Sequence, residues 1–486
     1  MITQISQTDL QDEIIKAIRD QLAKGEEIDV FELAVSLDFD QGMKKVMNFL
    51  IAGQMTTKAD WNKAVKISQT VRELGFYPKT AAEYVAKWIE TNKIEVNYQK
   101  AMKRTTLPVV EGCVVTAEDR KDPHIDALAR IQENIDINTD TLRRDLRIKA
   151  GELQLRFSDQ QIADAVSEWF DRALAERVTE VYRGVCFGME SKHPDTIAAW
   201  DAVCSQFDLT EHDAKFVEAV LKKFIWQVKR KMIGLPISNH LMPVLTGRQG
   251  VGKSTFVRDY LLHPIDELVS NTDFQSIEEV RNTEQWRNYV LFLDEMGYAG
   301  KADIDNVKNK ITAPYVTGRP MRSNDNVQYK QNATFIGCSN KELNQLIRDE
   351  TGNRRFVSLR YAAKPDWSKL PPKDQVWRLW RSVNENGEDP SLAIADQLKV
   401  AQAAVREKSV VEQWLEDYQV PVAFHGKKRQ SKDWYPDFKS WAEEFTSGRI
   451  IDLAMFGKEF NRLIKAGQVV DWEVSSLNGR SAYRYK

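Results

Sequence analysis

The sequence predicts an α/β protein built around a parallel sheet, with a helical region before the sheet and a small domain after it. Three observations lead to this prediction. Helical periodicity dominates residues 1–232, and short apolar strands separated by helical stretches follow from Leu241. A glycine-rich loop comes directly after the first of these strands. Strands of parallel sheets are buried on both faces, which is why they appear as continuous apolar runs.

Changes in hydrophobic periodicity and composition along the 486 residues indicate five segments. We expect a helical N-terminal domain for partner docking or oligomerisation, a linker with a helical collar, the sheet domain, a helical connector and a compact C-terminal domain. Turn signals at residues 101–125 favour the linker. The predicted segments are 1–105, 106–232, 233–365, 366–409 and 410–486.

Composition restricts the classes of function. The chain has 69 Lys and Arg against 71 Asp and Glu, a formal net charge of −2, which argues against a general polyanion binder. Its four cysteines and six histidines are scattered, so we expect neither a zinc site nor a disulfide framework. The first residues lack a basic flank followed by an apolar core, so we expect no secretory leader, and no apolar run reaches the roughly 20 residues that a membrane helix needs. We therefore expect a soluble cytoplasmic protein without a membrane partner.

One predicted helix carries an unusual number of cations. Leu221, Ile225, Val228 and Met232 form its apolar stripe. A solvated helix face is the favoured interpretation of its charged residues, and a DNA-facing surface is the alternative. These residues are Lys222, Lys223, Lys229, Arg230 and Lys231.

The strongest motif is a phosphate-binding loop. Residues 247–255 read Gly-Arg-Gln-Gly-Val-Gly-Lys-Ser-Thr and follow an apolar strand, so they match GxxxxGK[ST] in the required context. Glycines allow backbone amides to approach phosphate oxygens closely. We expect Lys253 to neutralise phosphate charge and Ser254 to bind Mg²⁺. The predicted ATP-binding residues are Gly247, Gly250, Val251, Gly252, Lys253, Ser254 and Thr255.

Two acidic residues end a second apolar strand. Val290-Leu291-Phe292-Leu293 runs into Asp294 and Glu295, the form of a Walker B strand. Open α/β sheets place ligand chemistry at strand ends. We therefore expect Asp294 to hold Mg²⁺ through water and Glu295 to polarise the attacking water.

Polar residues after a third strand complete the candidate site. Asn340 follows the strand at Ala333–Cys338, where it is either a sensor of the terminal phosphate or an ordinary helix cap. Arg354 and Arg355 lie behind a glycine turn. Arginine suits the stabilisation of transition-state charge on a phosphoryl group, often donated from a neighbouring subunit. Which of the two acts in this way stays open.

Together these motifs resemble the superfamily 3 helicases, and more closely the virulence-associated protein E family of phage and mobile-element replication ATPases. The resemblance covers roughly residues 140–360. Its most specific mark is Thr351-Gly-Asn-Arg-Arg-Phe356. The resemblance implies an AAA+-like P-loop core that forms a ring, expected to be a hexamer, on DNA in a bacterial host cell. It also implies that ATP binds between subunits and that Arg354 or Arg355 reaches the neighbour's site.

The resemblance further implies where DNA is held. In superfamily 3 a hairpin before the third strand projects into the ring channel, which makes Arg319, Arg322 and Lys330 candidates. Intersubunit or phosphate contacts are the alternative for the two arginines. The tail, residues 410–486, looks like a winged helix, whose alternative role is partner binding. Its candidate DNA contacts are Lys427, Lys428, Arg429, Lys458 and Arg462.

The sequence thus favours an ATP-dependent ring helicase or replication initiator with ATP and Mg²⁺ as cofactors. Two alternatives stay open: a P-loop ATPase switch in signalling or defence, and an initiator that remodels origin DNA. Residues 1–140 lack the acidic pattern and strand texture of a primase domain. A separate primase or replication protein is therefore a candidate partner, besides single-stranded, forked or origin DNA.

Overall fold

The computed structural model describes residues 7–37, 42–105, 108–110, 113–188, 192–296, 308–319, 325–343, 354–404, 409–445, 450–477 and 480–486. The chain divides into two compact units, Met1–Arg183 and Gly184–Lys486. Among the described residues, no helix combines the length and the apolar character needed to cross a bilayer.

The first unit begins with helices that pack around one apolar core. Ile18, Val46, Leu50 and Ala64 are fully buried there, and Trp61 is almost so. Side-chain caps fix several helix starts, such as the Thr80–Glu83 capping box. The helices of this unit are Gln7–Ala23, Val30–Ser36, Lys44–Ala52, Lys58–Leu74, Ala81–Thr91, Pro123–Glu133, Thr139–Glu152 and Asp159–Val185.

A small antiparallel sheet belongs to the second core of this unit. Strands β1 (Ile94–Val96), β2 (Met102–Thr105) and β5 (Asn134–Ile137) pair in the order β1–β2–β5. A short hairpin, β3 (Val109–Val110) with β4 (Cys113–Val114), lies between them in sequence. Short strands therefore lie within residues 101–125, where turn signals in the sequence indicate a linker. Met102 is buried in the same core as Trp88 and Leu146, and this core spans both sides of residue 105.

The predicted parallel sheet is confirmed in the second unit. Its five strands are β6 (Met242–Thr246), β7 (Val269–Asn271), β8 (Val290–Leu293), β11 (Thr334–Ser339) and β12 (Phe356–Arg360). They lie in the order β12–β6–β11–β8–β7, and every pairing is parallel. Because neighbouring strands run in the same direction, the residues that follow β6, β8 and β11 meet at one edge.

The helix Ala214–Met232, named here the lysine helix, packs against β6 and β11. The expectation of a solvated cationic face is wrong for two of its residues. Lys223 and Lys229 are fully buried, and each forms an ion pair with a carboxylate, Asp389 at 2.5 Å and Glu385 at 2.7 Å. Burial of a charge is costly unless it is paired, and these ion pairs join the lysine helix to residues 385–389.

Strands β9 (Tyr315–Gly318) and β10 (Val327–Lys330) form an antiparallel ladder before β11. The C-terminal residues fold around an aromatic core that includes Trp414, Trp434 and Phe460. There, β13 (Arg429–Gln430), β14 (Trp472–Leu477) and β15 (Arg480–Tyr485) pair in the order β13–β15–β14. The helices of this unit are Pro194–Cys204, the lysine helix, Lys253–Thr255, Phe274–Glu278, Trp377–Arg381, Ala395–Ala404, Val410–Asp417, Ser431–Phe445 and Leu453–Lys465.

Candidate functional site

Three glycines shape the loop after β6. Gly247, Gly250 and Gly252 have φ of +142°, +79° and +93°, a region that residues with a Cβ rarely adopt. A Cβ on Gly247 would also come within 3.2 Å of the carbonyl oxygen of Tyr361. Only glycine therefore fits these positions, and the loop can present backbone amides to an anion.

A helix begins directly after the loop. It covers Lys253–Thr255 and continues as a π-helical turn over Phe256–Leu261, a geometry that occurs frequently at functional sites. Val251, in the loop, is half-buried, and Thr255 is exposed. The predicted nucleotide-binding residues therefore form one continuous loop-to-helix segment.

Lys253 is buried and has only neutral hydrogen-bond acceptors. Its Nζ donates to the carbonyl oxygens of Gly247 at 2.9 Å and Arg248 at 2.8 Å, and to Oδ1 of Asn340 at 2.8 Å. In the described part of the chain no carboxylate forms an ion pair with it. Burial lowers the pKa of Lys253, although the nearby Asp294 and Glu295 act in the opposite direction. The ammonium is thus desolvated and has no ion-pair partner among the described residues, which fits the charge of a phosphate chain.

The predicted acidic and polar partners surround this lysine. Ser254 Oγ donates to Oδ1 of Asp294 at 2.5 Å, and Nδ2 of Asn340 donates to Oε1 of Glu295 at 3.4 Å. Glu295 has φ of +59°, and such backbone strain clusters at functional sites. A hydroxyl beside a carboxylate is a donor set that Mg²⁺ accepts next to phosphates. The residues present therefore fit ATP with Mg²⁺.

The two candidate arginines lie elsewhere. Arg354 is exposed, Arg355 is half-buried, and both precede β12. Because β12 runs parallel to β6, with Phe356 opposite Met242 and Arg360 opposite Thr246, they lie at the far end of the strand from the loop. At about 3.3 Å per residue, five residues of strand separate them from the loop by roughly 16 Å. They are therefore not part of the site around Lys253 of the same chain.

The candidate DNA contacts near the sheet are only partly described. Lys330 is exposed at the end of β10, and Arg319 is half-buried at the end of β9, where its backbone amide donates to the carbonyl oxygen of Val280. Arg322 lies outside the described residues. The sequence-predicted hairpin before the third strand is thus represented by the β9–β10 ladder.

The candidate contacts in the tail fall into two classes. Lys427, Lys428 and Lys458 are exposed, and their ammonium groups form no ion pair with any described residue. Arg429 instead lies over the rings of Phe424 and Trp434, 4.0 and 4.2 Å from the ring centroids.

Arg462 also has a partner inside the tail. It forms two hydrogen bonds with the carboxylate of Glu459, at 2.7 and 2.6 Å. A cation held in this way offers little free charge to a phosphate backbone. The three lysines are therefore better placed than either arginine to contact DNA.

Sequence reasoning missed one residue beside the loop. Trp367 lies in the predicted helical connector, residues 366–409, and no motif assigns it a role, yet its ring packs directly on Gly252. The two positions are 115 residues apart in the chain, and no local pattern connects them.

Comparisons with known proteins agree with the resemblance seen in the sequence. Residues 189–409 match the model of the virulence-associated protein E-like domain. No curated protein matches the chain. Two solved structures of the NrS-1 C-terminal region are similar, each at 15% identity over 62% of this chain, with 79% and 78% of those chains covered. Their TM-scores are 0.35 and 0.34, which is too low to support conclusions about fold or activity.

Proposed function

We propose that the chain is an ATP-dependent DNA motor of phage or mobile-element replication, because residues 189–409 match the model of the virulence-associated protein E-like domain. The observation that carries the proposal is Lys253, a desolvated cation without a carboxylate partner in a loop that admits only glycine at three positions. The sheet order β12–β6–β11–β8–β7 places the acidic and polar partners around this lysine.

The side chains divide the work of hydrolysis. Lys253 exchanges its carbonyl and amide acceptors for phosphate oxygens, and this releases Asn340 towards the terminal phosphate. Ser254 and Asp294 would hold Mg²⁺, which would supply charge neutralisation on the phosphates. Glu295 accepts a proton from the attacking water. The left-handed backbone at Glu295 fixes the direction from which its carboxylate approaches.

The position of the arginines supports the proposed assembly into a ring. Arg354 and Arg355 lie at the end of β12 opposite the loop, so the proposal assigns them to the site of another copy of the chain. In the proposed ring one of them stabilises the charge that develops on the phosphoryl group in the neighbouring subunit. Because ATP then binds between subunits, hydrolysis is coupled to movement of one subunit against the next.

Contact with DNA is assigned to two segments. The β9–β10 ladder carries the exposed Lys330 and is the element that would line the channel. In the tail, the pairing of β13 with β15 and of β15 with β14, after the helices Ser431–Phe445 and Leu453–Lys465, supports the proposed winged helix. The exposed Lys427, Lys428 and Lys458 supply the phosphate contacts there.

The experiment compares ATP hydrolysis with and without single-stranded DNA, together with strand displacement on a forked duplex. We expect the wild-type protein to hydrolyse ATP faster with DNA and to unwind the fork. Lys253→Ala should do neither, whereas the exposed Lys373→Ala should match the wild type. Hydrolysis that DNA does not change, with no unwinding, would contradict the motor and favour the nucleotide switch. DNA-stimulated hydrolysis without unwinding would favour the remodelling initiator.

A mixing experiment tests the ring. Lys253→Ala subunits keep their arginines, and Arg354→Ala/Arg355→Ala subunits keep their loops. If the arginines act on the neighbour, each variant is inactive alone and a mixture regains part of the hydrolysis. No recovery at any ratio would contradict the assignment.

A further inference from the structure

Trp367 lies against the phosphate-binding loop with part of its ring exposed. A Cβ on Gly252 would come within 2.9 Å of Cζ2 and 3.5 Å of Cε2 and Nε1 of this indole. Trp367 is 38% exposed, and among the described residues it is the only tryptophan with a large exposed surface. Exposing an indole to water forfeits hydrophobic stabilisation, which makes this position unusual.

The ring is held in a fixed position. Trp367 begins a 3₁₀ turn, Trp367–Lys369, which Asp366 caps by accepting hydrogen bonds from the amide and hydroxyl of Ser368 at 3.2 and 2.6 Å. The carbonyl oxygen of Asp366 accepts from Nε2 of the buried Gln206 at 3.0 Å. On its inner side the indole meets the ring of Phe256, with centroids 6.5 Å apart and planes at 65°. The exposed surface is therefore a rigid aromatic platform.

When the loop binds the phosphates of a nucleotide, the base of that nucleotide lies against a surface next to the loop. Lys253 and the amides of the loop fix where the phosphates lie, and Gly252, the residue before Lys253, is the one that Trp367 contacts. Aromatic rings bind bases by stacking, which is tolerant of base identity because every base has a π-face. Stacking strength depends on the area of overlap, so a bicyclic purine gains more than a pyrimidine.

We propose that Trp367 is the base-binding platform of the nucleotide site and that it selects purine over pyrimidine nucleoside triphosphates. This inference rests on the proposed function, since it requires phosphates at the loop. Trp367 touches the base, whereas Lys253 touches the phosphates. Loss of each residue therefore has a different signature.

The test measures equilibrium binding of ATP, GTP, CTP, UTP and inorganic tripolyphosphate, with Mg²⁺, to the full chain. The wild type should bind ATP and GTP more tightly than CTP and UTP. Trp367→Ala should weaken purine binding by about 5- to 100-fold, the range expected for one stacked base. It should weaken pyrimidine binding less and leave tripolyphosphate binding unchanged. Trp367→Phe should restore most of the preference.

Trp377→Ala is the matched control, because Trp377 is a half-buried tryptophan of the same connector whose ring lies near Arg378 and Arg381. It should keep the wild-type preference. A second measurement uses the difference in tryptophan fluorescence between the wild type and Trp367→Phe, which ATP should quench.

The outcomes separate the two proposals. Equal losses for all five ligands in Trp367→Ala, or no loss for any, would overturn the platform while leaving the phosphate site intact. A wild type that binds neither ATP nor tripolyphosphate would instead overturn the proposed function, and with it the platform. So would a Lys253→Ala variant that binds both as the wild type does.

Discussion

Lys229 and Lys253 are both buried lysines of the second unit, but their surroundings differ in one respect. Lys229 forms an ion pair with Glu385 at 2.7 Å and also donates to the carbonyl oxygens of Trp380 and Val383. Lys253 has carbonyl and amide oxygens alone. In both cases burial lowers the pKa of the ammonium.

The difference shows that burial of a charge does not by itself mark a functional site. In a buried ion pair the two charges neutralise each other, so the role of the pair is to join two segments of the fold. A buried cation without a counter-ion keeps the cost of its desolvation until an anion binds. Whether a buried lysine has a carboxylate partner, more than how deeply it is buried, therefore distinguishes a structural position from a binding position.

The largest effect should come from breaking the ion pair. Lys229→Met leaves Glu385 buried without its cation, and we expect the free energy of unfolding to fall by about 3–5 kcal/mol. Urea denaturation measures this loss. The double variant Lys229→Met/Glu385→Leu should recover most of it, because no buried charge is then left uncompensated. If Lys229→Met were as stable as the wild type, the claim that Lys229 is a structural residue would be contradicted.

Lys253→Met should show the opposite pattern. It leaves behind only neutral acceptors, so we expect little change in the urea midpoint. ATP hydrolysis should fall by about 100- to 1000-fold, the usual effect of removing one group that stabilises transition-state charge. Steady-state hydrolysis and urea denaturation on the same preparation test both parts. A large loss of stability would show that Lys253 is a structural residue like Lys229.

Nucleotide affinity should depend on pH through Lys253. Burial lowers its pKa in the free protein, and a bound phosphate raises it again, so binding is linked to proton uptake. Affinity is then complete below the lowered pKa and falls, by at most about tenfold per pH unit, as the pH rises through it. Lys253→Arg, which stays charged, should flatten the profile measured by calorimetry. An identical slope in both proteins would assign the pH dependence to another group.

In the tail, exposed cations can be compared with a cation that has partners in the fold, and the expected effects are smaller. Lys427 and Lys428 are exposed, whereas Arg429 is stacked between aromatic rings. Lys427→Ala/Lys428→Ala should weaken DNA binding and reduce the slope of log affinity against log salt by about 2, with no change in stability. Arg429→Ala should destabilise the C-terminal residues through lost ring contacts. If neither substitution changed DNA binding, the proposal that the tail contacts DNA would be contradicted.

Local patterns in the sequence predict the loop and its immediate partners. The strand ends that precede Gly247, Asp294 and Asn340 are visible as apolar runs, and a parallel sheet must bring them to one edge. The contact between Asn340 and Lys253 follows from that rule.

Long-range and very short elements could not be predicted in this way. The partner of Lys229 lies 156 residues further along the chain, and the cations of the lysine helix look like an ordinary solvated face. Strands β1, β2 and β5 have three or four residues, too few for a periodicity of two to stand out. Their pairing depends on a core that only the folded chain assembles.

The most direct test of the central claim is calorimetric binding of a non-hydrolysable ATP analogue, with Mg²⁺, to the wild type, Lys253→Ala and Lys373→Ala at low salt. An uncompensated Lys253 predicts strong binding to the wild type and to Lys373→Ala. It predicts a large loss of affinity in Lys253→Ala, with all three proteins equally stable to urea. Equal affinity of Lys253→Ala and the wild type would contradict the claim that this lysine awaits a phosphate.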